Sequence, residues 1–458
     1  MNNTFKIELI VVTFGDQPPM TINLGIEEEN SDYYHTLLIG KNGVCKSSFL
    51  RAIIDFFLRA QSRSLYVKWK GFVDISRIDY IVGRDRFSII GDSSYVSYCK
   101  NMESCDFAEM KFPLIVASTM SMFDKFPINV ISKSINSRYS IDKYRYIGPK
   151  ANHNMFMSKT NVLLQPLSLI GKTTACDKIQ AIGQLLDYIG FQKVITIDAS
   201  LYKSSSKEYV SPYEATSDSE ELLLDLFEIG SPSHTFDIRF DVNDKLEQIG
   251  YLADIISLKD KRRLVNIHCY CYTHCGKKVD INELSSGEFN LLALMINIIL
   301  LGNERPLLLL FDEPEISQHP NWQIDIIKML EDILENCSCH IITATHSHFL
   351  VSNLPMRKSS VIRLIKDENE AFFSETVDSD TYGWSSEEVL LKVFNMATDR
   401  SRYLAQIVGE LLQAIGNNNI SLKEVKTKLA FLQDVSTNLS DIDPMKKVIT
   451  SIVSEFNS

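Results

Sequence analysis

The feature that most constrains the fold is residues 35–57, HTLLIGKNGVCKSSFLRAIIDFF, where an apolar strand leads through a glycine-containing loop into a helix. Thr36 to Ile39 supply the buried strand. Gly40 and Gly43 allow the backbone to turn tightly before a helix that opens at Lys46. This order predicts a phosphate-binding loop at the edge of a sheet.

The chemistry of the loop suits a nucleoside triphosphate. Backbone N–H groups and the positive end of the helix dipole, roughly half an elementary charge, face the anion. Lys46 can neutralise the terminal phosphates, and the Ser47 hydroxyl can ligate Mg²⁺. Cys45 stands where the usual pattern has glycine, so we expect its side chain to weaken the phosphate cradle. A tight strand-to-helix turn with an incidental Lys-Ser pair is the alternative.

The composition is that of a globular chain with a large core. The 458 residues, 45% of them hydrophobic, predict about two to four structural units. No apolar stretch approaches the ~18 residues of a membrane span and no cleavable leader is visible, so we expect a cytoplasmic protein without membrane contact. The net charge of −11 opposes DNA binding by the molecule as a whole. The nine scattered cysteines are expected to be reduced thiols.

The chain divides into four predicted parts. The first contains the loop, the second is an insertion, the third contains the later motifs and the fourth is a helical tail; they cover 1–150, 151–263, 264–379 and 380–458. The first part contains a hairpin-like pair around Gly83 and a short apolar strand at 113–118. The insertion carries two amphipathic patterns, 177–191 and 245–263, and is expected to be mainly helical.

Two positions near the loop have open interpretations. Phe14 lies in a strand upstream of the loop, where an aromatic ring can stack on adenine, but packing within the sheet is favoured. Ser118-Thr119 and FDKF at 123–126 follow the apolar strand. A nucleotide-sensing loop and a plain strand-end turn are equally compatible with them.

Residues 265–280 bring together five side chains that can bind zinc. These are His268, Cys269, Cys271, His274 and Cys275. Strand alternation places Cys269 and Cys271 on one face and His268 on the other, whereas structural zinc usually draws its ligands from two separated pairs. We therefore favour a β-hairpin with buried thiols and Gly276 in its turn.

A second phosphate-recognition device follows at 284–288, LSSGE, which opens a strongly apolar helix. Ser286 and the Gly287 N–H at the start of this helix can meet a γ-phosphate. The same serine-rich cap also suits any buried helix, so the motif indicates phosphate binding only in combination with the other motifs of the chain.

Acidic residues follow another buried strand. The apolar run Leu307–Phe311 leads directly into Asp312 and Glu313. Asp312 is expected to hold Mg²⁺ together with Ser47, and Glu313 to orient or deprotonate the attacking water. A further strand, HIITATH, delivers His346 to the same sheet edge, where it can bond the γ-phosphate. An ordinary loop histidine is the alternative.

Taken in order, these motifs resemble those of a known family. GKNGVCKSS, ELSSGE, LLLLFDEPEISQHPNWQ and ITATHSHFL resemble the nucleotide-binding heads of ABC-type ATPases, in the branch with RecF, SMC heads and the overcoming-lysogenization-defect ATPases. The resemblance covers most of residues 1–365. It implies an α/β ATPase head with mixed and parallel sheets that binds ATP and Mg²⁺. EPEISQHPNWQ and FDKFP are most similar to the ATPase subunits of bacterial anti-phage systems, which work beside a separate HNH nuclease.

The resemblance also implies roles for individual residues. The implied ATP-binding residues are Gly40, Lys41, Asn42, Gly43, Val44, Cys45, Lys46, Ser47 and Ser48 of Walker A, with Ser285, Ser286, Gly287 and Glu288 of the signature. Ser47 and Asp312 are the implied metal ligands, and Glu313 and His346 the implied catalytic pair. A homo-oligomer is implied, with ATP between Lys46 of one protomer and Ser286 of the next and any DNA contact made through the complex. No clear glutamine marks the family's Q-loop.

Three other functions compete with this interpretation. A transporter motor has its signature much nearer the loop than the 239 residues that separate Lys46 from Ser285. A self-contained nuclease needs a C-terminal metal site, and its only candidate, Asp441-Ile442-Asp443 before Pro444, is typical of a helix cap. A RecF- or SMC-like head acting in DNA repair remains the alternative function.

The predicted tail consists of amphipathic helices. The first two are expected at 385–396 and 402–415, with apolar faces formed by Leu390, Val393, Phe394 and by Ile407, Leu411, Leu412. These helices either fold back onto the head or dock a partner such as the nuclease.

Overall fold

The protein is described by a computed structural model. The described residues are 4–25, 31–62, 71–91, 95–119, 121, 124–128, 143–152, 155–167, 176–201, 233–241, 264–301, 306–334, 337–377, 381–394, 402–416, 422–437, 439 and 444–457. The predicted helix at 245–263 and the Asp441–Asp443 cap lie outside these residues.

Strands and helices alternate along the chain. The strands are β1 (Phe5–Phe14), β2 (Met20–Asn23), β3 (Tyr33–Ile39), β4 (Val73–Val82), β5 (Asp85–Gly91), β6 (Val96–Lys100), β7 (Glu103–Ser104), β8 (Leu114–Thr119), β9 (Tyr144–Ile147), β10 (Lys150–Asn152), β11 (Met155–Phe156), β12 (Phe191–Leu201), β13 (Ser233–Arg239), β14 (Leu264–Thr273), β15 (Lys278–Asp280), β16 (Leu307–Asp312), β17 (Cys339–Ala344), β18 (Ser359–Lys366) and β19 (Phe372–Thr376). The helices are α1 (Lys46–Ser62), α2 (Lys159–Leu167), α3 (Cys176–Ile189), α4 (Ser286–Ile299), α5 (Pro320–Ile333), α6 (His348–Ser352), α7 (Arg402–Gly416), α8 (Leu422–Thr437) and α9 (Pro444–Asn457).

The central sheet has seven strands in the order β19-β18-β3-β17-β16-β8-β9. All neighbours are parallel except β18 and β19. Its inner strands are apolar on both faces because both faces are covered: Leu37 and Ile39 of β3 join one core cluster, and Leu38 joins the other. The carboxyl ends of β3, β17, β16 and β8 therefore meet at one edge. The predicted α/β class is confirmed.

Each face of the central sheet has its own cover. On one face lie α1 and an antiparallel sheet in the order β2-β1-β4-β5-β6-β7, which includes the hairpin predicted around Gly83. Phe14 belongs to this layer: it is 2% exposed and stacks on Phe372 with ring centroids 4.5 Å apart. The packing interpretation of Phe14 is therefore the correct one.

The opposite face packs against α2 to α5 and a four-stranded sheet in the order β13-β12-β14-β15. Two of these strands, β12 and β13, lie in the insertion 151–263. The described residues of the insertion, which was expected to be mainly helical, contain these strands as well as α2 and α3. Pairing β12 with the distant β14 buries Ile195 and Ile197, and this long-range contact stabilises strand over helix.

Residues 265–280 were interpreted either as a zinc site or as a β-hairpin with buried thiols, and the structure shows β14 and β15 here. Cys269 and Cys271 are fully buried on one face, whereas His268 on the other face lies 3.4 Å from Asp280. Gly276 is in the turn with φ +82. The pairing of β14 with β15 around this turn and the buried thiols confirm the hairpin interpretation. In the described residues no three His, Cys, Asp or Glu side chains come together as a metal site.

The tail forms a small core of its own, made by α7, α8, α9 and Leu391. Its first segment, Ser386–Val393, ends in a π-turn and is attached to the head instead. The predicted apolar faces are partly wrong, because the π-turn buries Val389 and Val393 and leaves Leu390 partly exposed, while Leu412 is 47% exposed. No helix in the described ranges is both long and apolar enough to cross a lipid bilayer.

Candidate active site

The predicted loop connects β3 to α1, which begins at Lys46 as expected. The loop lies tightly against β18, because a Cβ on Gly40 would be 2.4 Å from the Leu364 carbonyl oxygen. Only glycine permits this approach. Residues 41–43 are exposed, and Val44 anchors the loop in the core. The backbone of 41–43 is therefore open to a ligand.

Lys46 is buried beside the loop, with 7% of the residue exposed. Its Nζ donates to the Gly40 carbonyl oxygen at 2.9 Å and to His346 Nε2 at 2.7 Å. Because Nε2 accepts, the ring is neutral with its proton on Nδ1. Burial and the nearby ammonium both lower the pKa of His346. The two side chains predicted to meet the γ-phosphate are thus in direct contact.

Ser47 and Asp312 form the predicted metal-binding pair. Ser47 Oγ donates to Asp312 Oδ1 at 2.9 Å, and Asp312 is only 5% exposed at the end of β16. Burial raises the pKa of Asp312 to about 6, against the opposing effect of the Ser47 hydrogen bond. Hard oxygens are the ligands Mg²⁺ prefers, and a cation there would favour the ionised carboxylate. The pair therefore fits Mg²⁺.

Glu313 reaches the same edge through an unusual backbone conformation. Its φ is +52, a left-handed value that costs a non-glycine residue about 1–3 kcal/mol. The Glu313 N–H donates to the Ala344 carbonyl oxygen at 2.8 Å, which holds this conformation. Glu313 Oε1 lies 3.8 Å from His346 Nε2, and the carboxylate side chain is 36% exposed. Water can therefore reach it.

Cys45 also has a left-handed backbone, with φ +66. Its Sγ makes a weak contact of 3.7 Å to the Gly43 carbonyl oxygen, and burial raises the pKa of the thiol. Glycine adopts this φ without strain. The position thus retains the backbone shape of the usual loop although the residue differs.

Replacing Cys45 with glycine should raise ATP affinity or turnover about fivefold, because relief of roughly 1 kcal/mol of strain frees the loop to fit phosphate. Calorimetry and phosphate release measure the two quantities. Cys45→Ala is the matched control: it removes the thiol but keeps the Cβ, so it should not produce the gain. If both quantities stay the same or fall in Cys45→Gly, cysteine is fitted to this loop.

The predicted signature caps helix α4. Ser285 Oγ accepts from the Glu288 N–H at 3.3 Å, and Glu288 Oε2 accepts from the Ser285 N–H at 2.8 Å. This reciprocal arrangement is a capping box. A Cβ on Gly287 would lie 2.5 Å from the Ser317 carbonyl oxygen, so the turn after β16 closely contacts the helix start. Ser286 remains exposed there.

The end of β8 adds a lysine that the predicted site did not include. Thr119 pairs with Asp312 across the parallel strands and accepts from the Ser121 N–H at 3.1 Å, as in a strand-end turn. Lys125 Nζ then donates to Ser48 Oγ at 2.8 Å. A second ammonium group therefore lies at the first turn of α1, and FDKF was its only signal in the sequence.

A cavity of about 600 Å³ opens beside loop 40–44, between His346, β18 and the start of the tail. Val393 and Phe394 line its far side. The Arg363 guanidinium holds them there by donating to the carbonyl oxygen of Val393 at 2.8 Å and of Lys392 at 2.6 Å. The first turn of the tail is therefore part of the wall of this site.

Comparison with known proteins identifies an ATPase domain in the chain. The profile of the AAA ATPase domain family matches residues 191–351, which include the signature, Asp312, Glu313 and His346. The match confirms the predicted ATPase class over these residues. The chain also resembles the Septu protein PtuA of Bacillus thuringiensis, at 26% identity over 152 residues. That alignment spans 32% of this chain and about a third, 36%, of the relative's length.

Several solved SMC head structures are similar to this chain. An SMC head bound to the C-terminal winged-helix domain of ScpA aligns over 81% of this chain and 97% of its own, with a TM-score of 0.40 and 12% identity. The SMC head domain of Thermotoga maritima aligns over 83% and 100%, with a TM-score of 0.40 and 10% identity. An SMC head from Pyrococcus furiosus aligns over 82% and 96%, with a TM-score of 0.35 and 12% identity.

Proposed function

We propose that this chain binds ATP with Mg²⁺ and hydrolyses ATP at sites shared between two copies of its head. The observation that carries the proposal is the meeting of five side chains at one sheet edge, within hydrogen-bonding or ion-pairing reach of one another. They are Lys46, Ser47, Asp312, Glu313 and His346. Three separate segments of the chain supply them, at the start of α1, the end of β16 and the end of β17. An incidental strand-to-helix turn would not require this convergence.

Each of these side chains has a separate task. Lys46 binds the terminal phosphates, and its present partners, the Gly40 carbonyl and His346, keep the ammonium aimed at the loop. Glu313 takes the proton of the attacking water, since its carboxylate is exposed beside His346. Mg²⁺ bound by Ser47 and Asp312 would neutralise phosphate charge. His346 contacts Lys46 and thereby senses what the ammonium binds.

The second half of each site comes from another copy of the chain. Ser286 is exposed at the N-terminus of α4, where helix N–H groups attract an anion. In this homo-oligomer, ATP lies between the loop of one protomer and Ser286 of the next.

The mass of the purified protein in solution, measured with and without ATP-Mg²⁺, tests whether ATP joins two copies of the chain. We expect the mass to double with ATP-Mg²⁺ and hydrolysis to accompany it. The larger side chain in Ser286→Arg should block contact with the phosphate of the ATP that the other protomer binds. This variant should bind ATP yet keep the mass it has without nucleotide. An ATP-independent mass together with unchanged turnover in Ser286→Arg would contradict the shared site.

We further propose that the ATPase controls a separate nuclease in anti-phage defence. The support is the resemblance of the motifs to ATPase subunits of such systems and the similarity to PtuA. Among the described residues no three His, Cys, Asp or Glu side chains come together as a metal site. In this proposal the partner supplies the nuclease chemistry. The tail is the proposed dock because it forms its own core and exposes Leu412 and Val448, at 47% and 43%.

Deleting residues 402–458 should leave ATP binding intact and abolish capture of a co-expressed HNH nuclease. The cut is made there and not at 380, since Val389 and Val393 belong to the core of the head. Leu412→Glu with Val448→Glu is the milder version, because both side chains are exposed. Capture by either variant would move the dock to the insertion 151–263. Tight DNA binding by the chain without a partner would instead favour a RecF- or SMC-like repair head.

A further inference from the structure

Glu315 is a buried carboxylate that the proposed reaction does not use. It lies in the turn after β16, two residues beyond Glu313. One oxygen, Oε1, accepts from the His346 N–H at 2.8 Å and from Thr345 Oγ1 at 2.6 Å. The other, Oε2, is buried without a hydrogen-bond partner among the described residues. Burial raises the pKa of Glu315.

Burial of a carboxylate is unfavourable unless donors compensate it. The two donors that compensate Glu315 come from consecutive residues at the end of β17, where the chain leaves the sheet. Hydrogen bonds to an ionised carboxylate are shorter and stronger than neutral ones. They therefore restrain the backbone of Thr345 and His346 more tightly than an ordinary strand-end turn would.

The same turn also contacts the signature helix. Asn290 of α4 donates its Nδ2 to the Ile316 carbonyl oxygen at 3.3 Å. Thr345 Oγ1 accepts in addition from the Ser347 N–H at 2.8 Å, and Ser347 Oγ contacts Gln323 of α5 at 2.8 Å. Glu315 thus joins His346 to a network that includes α4 and α5.

We propose that Glu315 is a positioning residue for His346. By holding the His346 N–H and the Thr345 hydroxyl together, it keeps the imidazole within 2.7 Å of Lys46 and 3.8 Å of Glu313. Its effect on turnover rests on the proposed ATP hydrolysis. Its effect on the histidine does not, because it is argued from the two hydrogen bonds of Glu315 alone.

The kinetic test separates positioning from a merely structural role. Glu315→Ala should lower kcat about tenfold or more with the KM for ATP nearly unchanged, since the histidine acts on turnover. Glu315→Gln keeps an oxygen that can accept both bonds, so it should retain most activity. In a His346→Ala background, Glu315→Ala should add no further loss, because residues acting through one another are not additive. Losses that multiply would overturn the proposal.

The structural test uses nucleotide-free protein and is informative even if ATP is not hydrolysed. Labelling with ¹⁵N-histidine gives at most nine histidine backbone amide signals, and the one that disappears in His346→Ala identifies His346. We expect this amide proton far downfield, as for an N–H bonded to carboxylate. It should move upfield in Glu315→Ala and less in Glu315→Gln, while the signal of His319 stays. If Glu315→Ala does not fold, the shift of the His346 amide proton in Glu315→Gln provides the test. An unmoved His346 amide would overturn the proposal.

Discussion

Lys46→Ala is expected to abolish ATP binding, with a loss of affinity of at least about 100-fold. The ammonium is a charged donor buried against the loop backbone, and each hydrogen bond to a charged group contributes about 1.5–3 kcal/mol. Two such bonds to phosphate oxygens correspond to this loss. Calorimetric titration with ATP-Mg²⁺ measures it directly.

The control for Lys46→Ala is a second buried lysine. Lys6 is 8% exposed, close to the 7% of Lys46, and its ammonium lies over the Tyr34 ring, 5.2 Å from the centroid. Lys6→Ala thus matches the loss of a buried lysine without touching the loop. It should keep full ATP affinity even if thermal stability falls. Unchanged affinity in Lys46→Ala would refute the assignment of the loop.

Glu313→Gln is expected to retain ATP and stall hydrolysis, with kcat lowered about 10²- to 10⁴-fold. The amide has the shape of the carboxylate and can occupy the same left-handed backbone, so only the proton-accepting charge is lost. Phosphate release under single-turnover conditions measures the chemical step, and calorimetry measures binding. The ATP-bound assembly should accumulate because its decay requires hydrolysis.

Two comparisons make the result of Glu313→Gln interpretable. Glu368→Gln changes an exposed glutamate in the turn between β18 and β19 and should leave turnover unchanged. Asp312→Asn should weaken Mg²⁺-dependent binding, because it alters the oxygen pair with Ser47. Turnover near the wild-type rate in Glu313→Gln would assign the proton transfer to another residue.

The site could be predicted from sequence because its signals are local. An apolar run such as Leu307–Phe311 followed by Asp312 and Glu313 predicts a buried parallel strand with charges at its carboxyl end. Repeating this arrangement for the loop after β3 and for His346 after β17 predicts one shared edge, and the central sheet brings these ends together.

What the sequence did not reveal depends on distant contacts. Strand β12 pairs with β14 some seventy residues later, so its burial is decided by a partner that no local pattern identifies. The left-handed conformation of Cys45 and Glu313 is likewise set by neighbours and not by residue type. The role of Glu315 could not be predicted because its partners, Thr345 and His346, follow a different strand, β17.

The contact of Gly287 with the Ser317 carbonyl has a consequence for how two sites communicate. In the proposed two-head assembly, α4 would face the nucleotide of one site. The turn that α4 contacts leads through Glu315 to the histidine of the same chain, which would belong to the other site. With no room for even a methyl group between helix and turn, displacement of α4 is transmitted instead of absorbed. Occupancy of one site should therefore alter the rate at the other, and a sigmoidal dependence of turnover on ATP would express this cooperativity.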